Sequence, residues 1–292
     1  MSIISNKKHA LVRLLCILVC CVSLLPVNAA EQSSSAKDES LIFGFLPIVS
    51  KRKLISRFKP LSDYLSLVLG QPVRFETAPN YTIFIQRTRE KRYDILFTAP
   101  HFYYLANRNA DYRAIVRVGA PDMKAIIVAT RKSGITLLKD LKGKRISTPD
   151  ALSLGTILIR NKFRSIGLDP DKDLSLVASP SHNSSLQAAN LGLTNAAGLM
   201  IPPFKRAAPE IREQMLELGK TKGSPHMPIA VSSKLSTDKA DLIMQALTKL
   251  KSSKKGRSLL KHLSWPMGFV KTKPGEYDQL NWVVKELNLN KE

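Results

Sequence analysis

The stretch from Tyr93 to Asn107 constrains the fold most, because its pattern predicts a buried strand that leads directly into a helix. The apolar run of residues 95–97 is typical of a strand covered on both faces. Thr98 is then a candidate N-cap, and Pro100 suits the first turn of a helix. Such a corner lies at the carboxyl edge of an open α/β sheet, where unpaired backbone N–H groups face whatever is bound.

Tyr103 belongs to the first turns of the same helix, where its phenol can reach this edge of the sheet. Tyr103 and Thr98 are therefore candidate ligand contacts. The alternative is an ordinary strand–helix corner, in which the tyrosine is part of the core and Thr98 only caps the helix.

Strand-like and helix-like segments alternate along the chain from Leu41 onward. This alternation predicts an α/β fold with mixed sheets flanked by helices. One α/β series ends near residue 118 and a second series follows it. Two crossings, near residues 119–130 and 222–230, connect the two halves, and the C-terminal helices complete the first half.

Two helices of this pattern carry a specific expectation. An apolar stripe at helical spacing runs from Leu54 to Val68, and Pro60 within it is expected to kink or restart the helix. Residues 207–217 are predicted as a helix that precedes a strand at residues 229–231.

The first 29 residues have the pattern of a secretory signal peptide. A basic start is followed by an apolar run over residues 11–25, and residues 27–29 fit the small-x-small pattern of a cleavage site. Cleavage after Ala29 would place the mature protein in the periplasm. An uncleaved membrane anchor is the alternative, although the apolar run is shorter than the ~20 residues that a span needs.

The cysteines Cys16, Cys20 and Cys21 all lie in this segment. The expected mature chain therefore contains no cysteine, which excludes disulfides, thiolate nucleophiles and cysteine-based zinc sites. His101 and His226 lack neighbours at metal-ligand spacing, so we expect neither a metal nor a cofactor.

The chain is strongly basic. From Ala30 onward it holds 42 Lys and Arg against 23 Asp and Glu, a net charge of +19. Such a field attracts small anions, nucleic acids and anionic lipids. The basic residues are scattered, however, and no nucleic-acid-binding motif accompanies them. We therefore expect a small anionic ligand and no nucleic-acid partner.

The motifs of an enzyme are missing from the sequence. It contains no Gly-x-Ser-x-Gly, His-Glu-x-x-His or phosphate-loop pattern. Ser153 and His182 are the one obvious pair of nucleophile and base, and no acid is evident to orient the histidine. We therefore expect a binding protein without catalytic residues.

Six segments occur in a characteristic order along the chain: Phe43–Pro47, Phe58–Leu65, Tyr93–Tyr103, Asp140–Lys144, Gly167–Pro170 and Ser181–Asn183. In this order they resemble a known family, the phosphate/phosphite/phosphonate-type solute-binding proteins of ABC transporters. The resemblance spans about residues 43–277 and implies a two-lobed type II periplasmic binding fold with two hinge crossings.

The resemblance also implies a binding site. In the family, a corner tyrosine, a Ser-Thr-Ser-Gly helix start and a following histidine hold the oxyanion. These positions correspond here to Tyr103, to residues 152–155 and to His182, but residues 152–154 are Leu-Ser-Leu, so only one of the three hydroxyls is kept. The candidate ligand-binding residues are Tyr81, Thr98, Tyr103, Ser153, Gly155, Thr156, His182 and Asn183.

Structural roles are open alternatives for two of these candidates. Ser153 can be a helix N-cap in an element that binds nothing, and His182 can cap the following helix or lie at the surface.

Residues 194–204 contain no acid, and Asn195 stands where the family usually has aspartate. The resemblance therefore implies a ligand with an oxyanion end and a neutral or apolar remainder.

The resemblance implies that this protein traps a phosphonate- or phosphate-like ligand and delivers it to a membrane permease. A sensory protein that docks on a receptor kinase or cyclase is the alternative, and a monomer is expected in either case. The expected domains are a signal peptide (1–29), a disordered leader (30–40), lobe 1 (41–124 plus 229–292) and lobe 2 (125–228).

Overall fold

The computed structural model describes residues 40–287, and the predicted signal peptide and nearly all of the predicted leader lie outside this range. Within the described range, the helices are too short or too polar to cross a bilayer. The strands are β1 (Leu41–Phe45), β2 (Val73–Thr77), β3 (Ile95–Phe97), β4 (Arg113–Val118), β5 (Ala125–Thr130), β6 (Arg145–Thr148), β7 (Ser175–Ala178), β8 (Ala196–Met200), β9 (Met215–Lys220), β10 (Pro228–Val231) and β11 (Phe269–Lys271).

Helices alternate with these strands as the sequence pattern predicted. They are α1 (Lys51–Leu69), α2 (Tyr81–Arg89), α3 (Pro100–Ala110), α4 (Leu154–Arg164), α5 (His182–Asn190), α6 (Ile201–Lys205), α7 (Pro209–Gln214), α8 (Thr237–Thr248), α9 (Lys254–His262) and α10 (Val283–Glu286).

The strands form two mixed sheets. The first has the order β11-β4-β10-β3-β1-β2, with β1 parallel to β2 and β3, and β10 antiparallel to both β3 and β4. The second has the order β7-β6-β8-β5-β9, with β6 parallel to β7 and β8, and β5 antiparallel to β8 and β9. Each sheet has its own apolar core, which gives the two-lobed α/β fold that the sequence predicted.

The chain passes between the sheets twice, after β4 and after β9. The two crossings pair with each other, because Met123 and Ser224 exchange backbone hydrogen bonds of 2.8 and 3.0 Å. The C-terminal segment also touches both lobes. Val283 is buried in the core of the first lobe, and Glu286 forms ion pairs with Arg160 and Arg164 of α4 in the second.

Pro60 does not interrupt α1, contrary to the expected restart. The helix runs from Lys51 to Leu69 with Pro60 inside it. Proline has no N–H to donate to the carbonyl four residues earlier, which is that of Ser56. The Nε2 atom of His262 lies 2.9 Å from this carbonyl oxygen and replaces the missing donor. Tertiary contact therefore keeps the helix continuous.

The predicted helix over residues 207–217 is wrong at its C-terminal end, residues 215–217. The helix α7 ends at Gln214, and β9 begins at Met215 and pairs antiparallel with β5. The apolar residues of β9 fit a helical stripe as well as a strand, so spacing alone favoured continuing the helix. The edge of β5 offers unpaired backbone groups, and pairing with them satisfies both strands.

Candidate functional site

Helix starts and strand ends from both lobes enclose a small cavity of about 80 Å³. The first lobe contributes the segment after β1, the start of α2 and the start of α3. The second lobe contributes the starts of α4 and α5 and the end of β8. The lining residues are Leu46, Ile48, Tyr81, Ala99, His101, Phe102, Met123, Leu152, Ser153, Leu154, Gly155, His182, Met200 and Met227.

The cavity is mainly apolar. Among the described residues that line it there is no Lys, Arg, Asp or Glu, and three methionines contribute flexible thioethers. A volume of about 80 Å³ is well below the ~300–1,000 Å³ typical of sites for drug-sized ligands. The cavity therefore suits a ligand of a few non-hydrogen atoms that is recognised by hydrogen bonds rather than by ion pairs.

Ser153 is the N-cap of α4, and its hydroxyl is directed into its own helix. Its Oγ accepts from the backbone N–H of Thr156 at 3.3 Å and lies 3.0 Å from Thr156 Oγ1. The Thr156 hydroxyl donates to the carbonyl oxygen of Pro149, so Ser153 must donate to Thr156. Both hydroxyls are thus engaged, and within the first turn the backbone N–H groups of Leu154 and Gly155 remain for a ligand.

Gly155 and His182 bring the starts of α4 and α5 together. A Cβ atom on Gly155 would lie 3.4 Å from Cε1 of His182. The Nδ1 atom of His182 accepts from the backbone N–H of Met200 at 3.4 Å. Burial, aided by the positive charge of Arg206, lowers the pKa of His182 to about 4. The ring is therefore neutral near pH 7 and carries its proton on Nε2, as a donor.

Tyr81 lies at the first position of α2, after the N-cap Asn80. Its ring packs edge-on against Phe102 with 5.6 Å between centroids. Burial, with a smaller effect from the negative charge of Asp150, raises the pKa of Tyr81 to about 12. The phenol therefore stays protonated and offers a further donor to the cavity.

His101 is a cavity residue that the sequence reasoning missed, since it considered His101 only as a metal ligand. The side chain is fully buried at the start of α3, and its Nε2 lies 2.9 Å from the carbonyl oxygen of Leu152 in the other lobe. Burial lowers the pKa of His101 to about 4, partly opposed by this hydrogen bond. Its position directly after Pro100, at the first turn of a corner helix, was the available signal.

Tyr103, a predicted ligand contact, does not line the cavity, and the geometry of α3 gives the reason. Residues two apart on a helix point about 200° apart, so Tyr103 faces away when His101 faces the cavity. The Tyr103 hydroxyl accepts from the backbone N–H of Ala114 at 3.0 Å. Its ring packs against Tyr277 with 4.8 Å between centroids.

Thr98 also differs from its prediction. The N-cap of α3 is Ala99, which has no side chain that could cap the helix. The Thr98 hydroxyl is buried without a hydrogen-bond partner among the described residues, and Thr98 lines a gap between α2 and α3 rather than the cavity. Extended backbone at Ala99 adds one residue between the strand and the helix, which moves the cap away from Thr98.

The remaining candidate residues also fall into two groups, those that line the cavity and those that do not. Tyr81, Ser153, Gly155 and His182 line the cavity together, which keeps them as candidate ligand contacts. Asn183 is exposed and outside the lining, and Thr156 is buried and lines a different depression on the second lobe.

A larger depression of about 560 Å³ lies on the second lobe beside α10. Its charged groups already bond one another, because Arg160 binds both Asp171 and Glu286. The small cavity, by contrast, gathers donors from both lobes, and we regard it as the candidate site.

The family model of periplasmic substrate-binding proteins of phosphonate ABC transporters matches residues 43–277. This range includes all residues that line the cavity.

Solved structures share the fold. A binding protein component of an ABC phosphonate transporter from Pseudomonas aeruginosa has a TM-score of 0.72 and 21% identity, over 84% of this chain and 86% of that chain. A methylphosphonate complex of a protein from Prochlorococcus marinus has a TM-score of 0.74 and 17% identity, over 86% of this chain and 99% of that chain. A histidine kinase sensor domain similar to periplasmic binding proteins has a TM-score of 0.52 and 15% identity, over 80% of this chain and 98% of that chain. The first two likenesses confirm the predicted two-lobed periplasmic binding fold.

Proposed function

Because the chain belongs to the family of periplasmic substrate-binding proteins of phosphonate ABC transporters, we propose that it captures a small phosphonate- or phosphate-like ligand between its lobes and passes it to a permease. The observation that carries this proposal is the cavity itself. It places the N-terminus of α4, His182 and Tyr81 around one small space. Helix N-termini and neutral donors suit an oxyanion.

The family also implies a periplasmic location, in accord with the predicted signal peptide. We propose that the protein acts as a monomer without catalytic activity and without a nucleic-acid partner. Transport is proposed rather than sensing, because the matching family is defined as a component of ABC transporters.

We further propose that the lobes divide near the two paired crossings, with residues 41–124 and 229–292 in lobe 1 and residues 125–228 in lobe 2. The two separate sheets support this division. Because the C-terminal segment contacts both lobes through Val283 and Glu286, it is a third connection between them.

The remainder of the ligand is proposed to be neutral or apolar. A buried ammonium needs a carboxylate partner, and the lining offers none among the described residues. The thioethers of Met123, Met200 and Met227 suit a methyl or short alkyl group instead.

Calorimetry with methylphosphonate, phosphite, phosphate and aminoethylphosphonate tests this proposal. We expect methylphosphonate to bind and aminoethylphosphonate to bind at least tenfold more weakly. Tyr81→Phe should weaken binding, because it removes a donor from the cavity. Tyr103→Phe is the matched control and should leave binding unchanged. Binding of aminoethylphosphonate at least tenfold tighter than the others would contradict the proposed ligand class.

A further inference from the structure

The two histidines of the cavity have opposite hydrogen-bonding roles. In His182, Nδ1 accepts from the backbone N–H of Met200, so Nε2 carries the proton and can donate. In His101, Nε2 faces the carbonyl oxygen of Leu152, which can only accept. A neutral His101 must therefore carry its proton on Nε2, and its Nδ1 presents a bare lone pair.

The Nδ1 atom of His101 has no hydrogen-bond partner among the described residues, although it is fully buried. Buried polar atoms are nearly always paired, and an unpaired one requires an explanation. His101 lines the cavity, so a molecule bound there can supply the missing donor. A fully ionised oxyanion has only acceptors and cannot do so.

We propose that this site selects the protonated form of its oxyanion ligand, whose O–H donates to Nδ1 of His101. The inference rests on the proposed function, and for a phosphonate it means the singly charged form. The other ligand oxygens accept from Nε2 of His182, the phenol of Tyr81 and the backbone N–H groups at the start of α4. His101 is thus a specificity-determining residue.

The lack of cationic side chains in the described lining of the cavity also favours a singly charged ligand. A buried dianion needs compensating cations, whereas the described lining contains no Lys or Arg. Ser153, which could have donated, directs its proton to Thr156. The donors that remain suit a single negative charge rather than two.

The titratable groups that face the ligand are His101 from α3, Tyr81 from α2 and His182 from α5. The pKa values of both histidines lie near 4, and that of Tyr81 lies near 12. Asp150 acts on Tyr81 and Arg206 acts on His182, and neither lines the cavity. Between pH 5.5 and about 8.5 these three groups do not change their protonation state, so a pH dependence of binding in this range reflects the protonation of the ligand.

Calorimetry from pH 5.5 to about 8.5 tests the proposal with methylphosphonate and methanesulfonate. The sulfonate has a similar shape and a single charge but no O–H. We expect the affinity for methylphosphonate to fall about tenfold per pH unit above its second pKa, with uptake of up to one proton on binding. Methanesulfonate should bind at least tenfold more weakly than methylphosphonate at pH 5.5, with no pH dependence.

Two variants of His101 separate its two ring nitrogens. His101→Asn keeps an acceptor near the position of Nδ1 and should retain the pH dependence. His101→Gln keeps a donor for Leu152 but loses that acceptor, so it should bind methylphosphonate at least tenfold more weakly at pH 5.5 and lose the pH dependence. Tyr103→Phe is the control for both, and melting temperatures show whether each variant folds.

The ³¹P resonance of bound methylphosphonate gives an independent readout. At pH 8 we expect the chemical shift of the singly charged form. The shift of the dianion would mean that His101 itself takes up the proton, and it would overturn the proposal. Equal affinity for methanesulfonate, or an unchanged pH profile in His101→Gln, would also overturn it. Failure of every ligand to bind at any pH would instead contradict the proposed function.

Discussion

Gly155 leaves open the space between His182 and Met200. A Cβ atom at this position would lie 3.4 Å from Cε1 of His182 and 3.5 Å from Cγ and Sδ of Met200. These are ordinary contact distances, so a methyl group fits without displacing either neighbour. It would nevertheless occupy the part of the cavity where the two helix starts approach.

We expect Gly155→Ala to weaken methylphosphonate binding at least tenfold while leaving the melting temperature unchanged or slightly higher. Alanine is favoured over glycine in a helix by up to ~1 kcal/mol, and the added methyl group excludes the ligand from its space. Calorimetry and thermal unfolding measure the two effects separately.

Gly256→Ala is the contrasting variant. Its Cβ would clash with the carbonyl oxygen of Leu250, and Gly256 is not among the residues that line the cavity. We expect this variant to lower the melting temperature without changing the affinity of the folded protein. If Gly155→Ala destabilised the protein in the same way, its effect on binding would be no guide to the site.

At the residue scale, the sequence located the helix starts that line the cavity. Ser153, Gly155 and His182 lie at the starts of α4 and α5, close to the predicted helix starts, because a capping residue and its helix are local features. The sequence could not show which of Tyr103 and His101 faces the cavity. Their positions depend on which side of α3 packs against the sheet, and the apolar residues of α3 cover nearly its whole circumference.

At the scale of elements, the N-cap Ser153 stabilises the start of α4, and its hydroxyl forms hydrogen bonds within the helix rather than toward the cavity. Ser153 Oγ accepts from the N–H of Thr156 and donates to its hydroxyl. The side chain therefore stabilises the helix start, while the backbone of the same turn faces the cavity.

We expect Ser153→Ala to lower the free energy of unfolding by about 1 kcal/mol, because it removes the N-cap. Ser153→Thr retains the hydroxyl and should cost less. Affinity for methylphosphonate should fall less than tenfold in both variants, since the hydroxyl proton points away from the ligand. Urea unfolding and calorimetry give the two quantities. A large loss of affinity with unchanged stability would mean that the hydroxyl turns toward the ligand.

Most of the order of elements followed from the sequence, but several local details did not. Apolar periodicity located most strands of both sheets as short apolar runs, but it did not predict the short strand β11. It failed at β9, which forms by pairing with β5, and at Pro60, where His262 supplies a donor from a distant helix. Both outcomes depend on contacts between residues far apart in the chain, which periodicity does not contain.

For the whole molecule, three buried or half-buried histidines link folding to pH. Burial lowers the pKa values of His101, His182 and His226 to about 4, below the ordinary value of 6.5. The unfolded chain therefore binds more protons between pH 6.5 and 4, and stability falls as the pH decreases through this window. Each pKa unit of difference corresponds to about 1.4 kcal/mol at a fully buried site such as His101.

We expect the melting temperature to be highest near pH 7 and to fall steadily toward pH 4. His226→Gln should reduce the slope without affecting the cavity, because His226 lies outside the lining. Carboxylates with lowered pKa values, such as Asp171, lose their stabilising effect only as the pH falls through and below 3.8. A melting temperature that stays constant from pH 7 to 5 would contradict a role of the histidines.

From Ala30 onward the chain has a net charge of +19, whereas the described lining of the cavity has no charged side chain. The expected effect of the net charge is on the encounter with an anion rather than on the bound state. We expect the association rate of methylphosphonate to fall as salt rises, with little change in the dissociation rate. Stopped-flow measurements from low to physiological ionic strength test this. An association rate independent of salt would mean that the charge serves another purpose.

Closure of the lobes is the last expectation for the whole molecule. His101 and Tyr81 come from one lobe and His182 and the start of α4 from the other, so a ligand can contact all of them only when the lobes meet. The hydrogen bond from His101 to Leu152 joins the lobes directly. We expect the paired crossings at Met123 and Ser224 to be the pivot about which the lobes open.

We therefore expect saturating methylphosphonate to reduce the radius of gyration measured by X-ray scattering, because the free protein samples open arrangements that the ligand disfavours. Gly155→Ala is the matched control and should not compact at the same ligand concentration. The affinity from calorimetry fixes the concentration at which compaction must be complete. If calorimetry shows saturation without compaction, the lobes remain closed in the free protein, and the ligand must enter through a local opening beside the crossings.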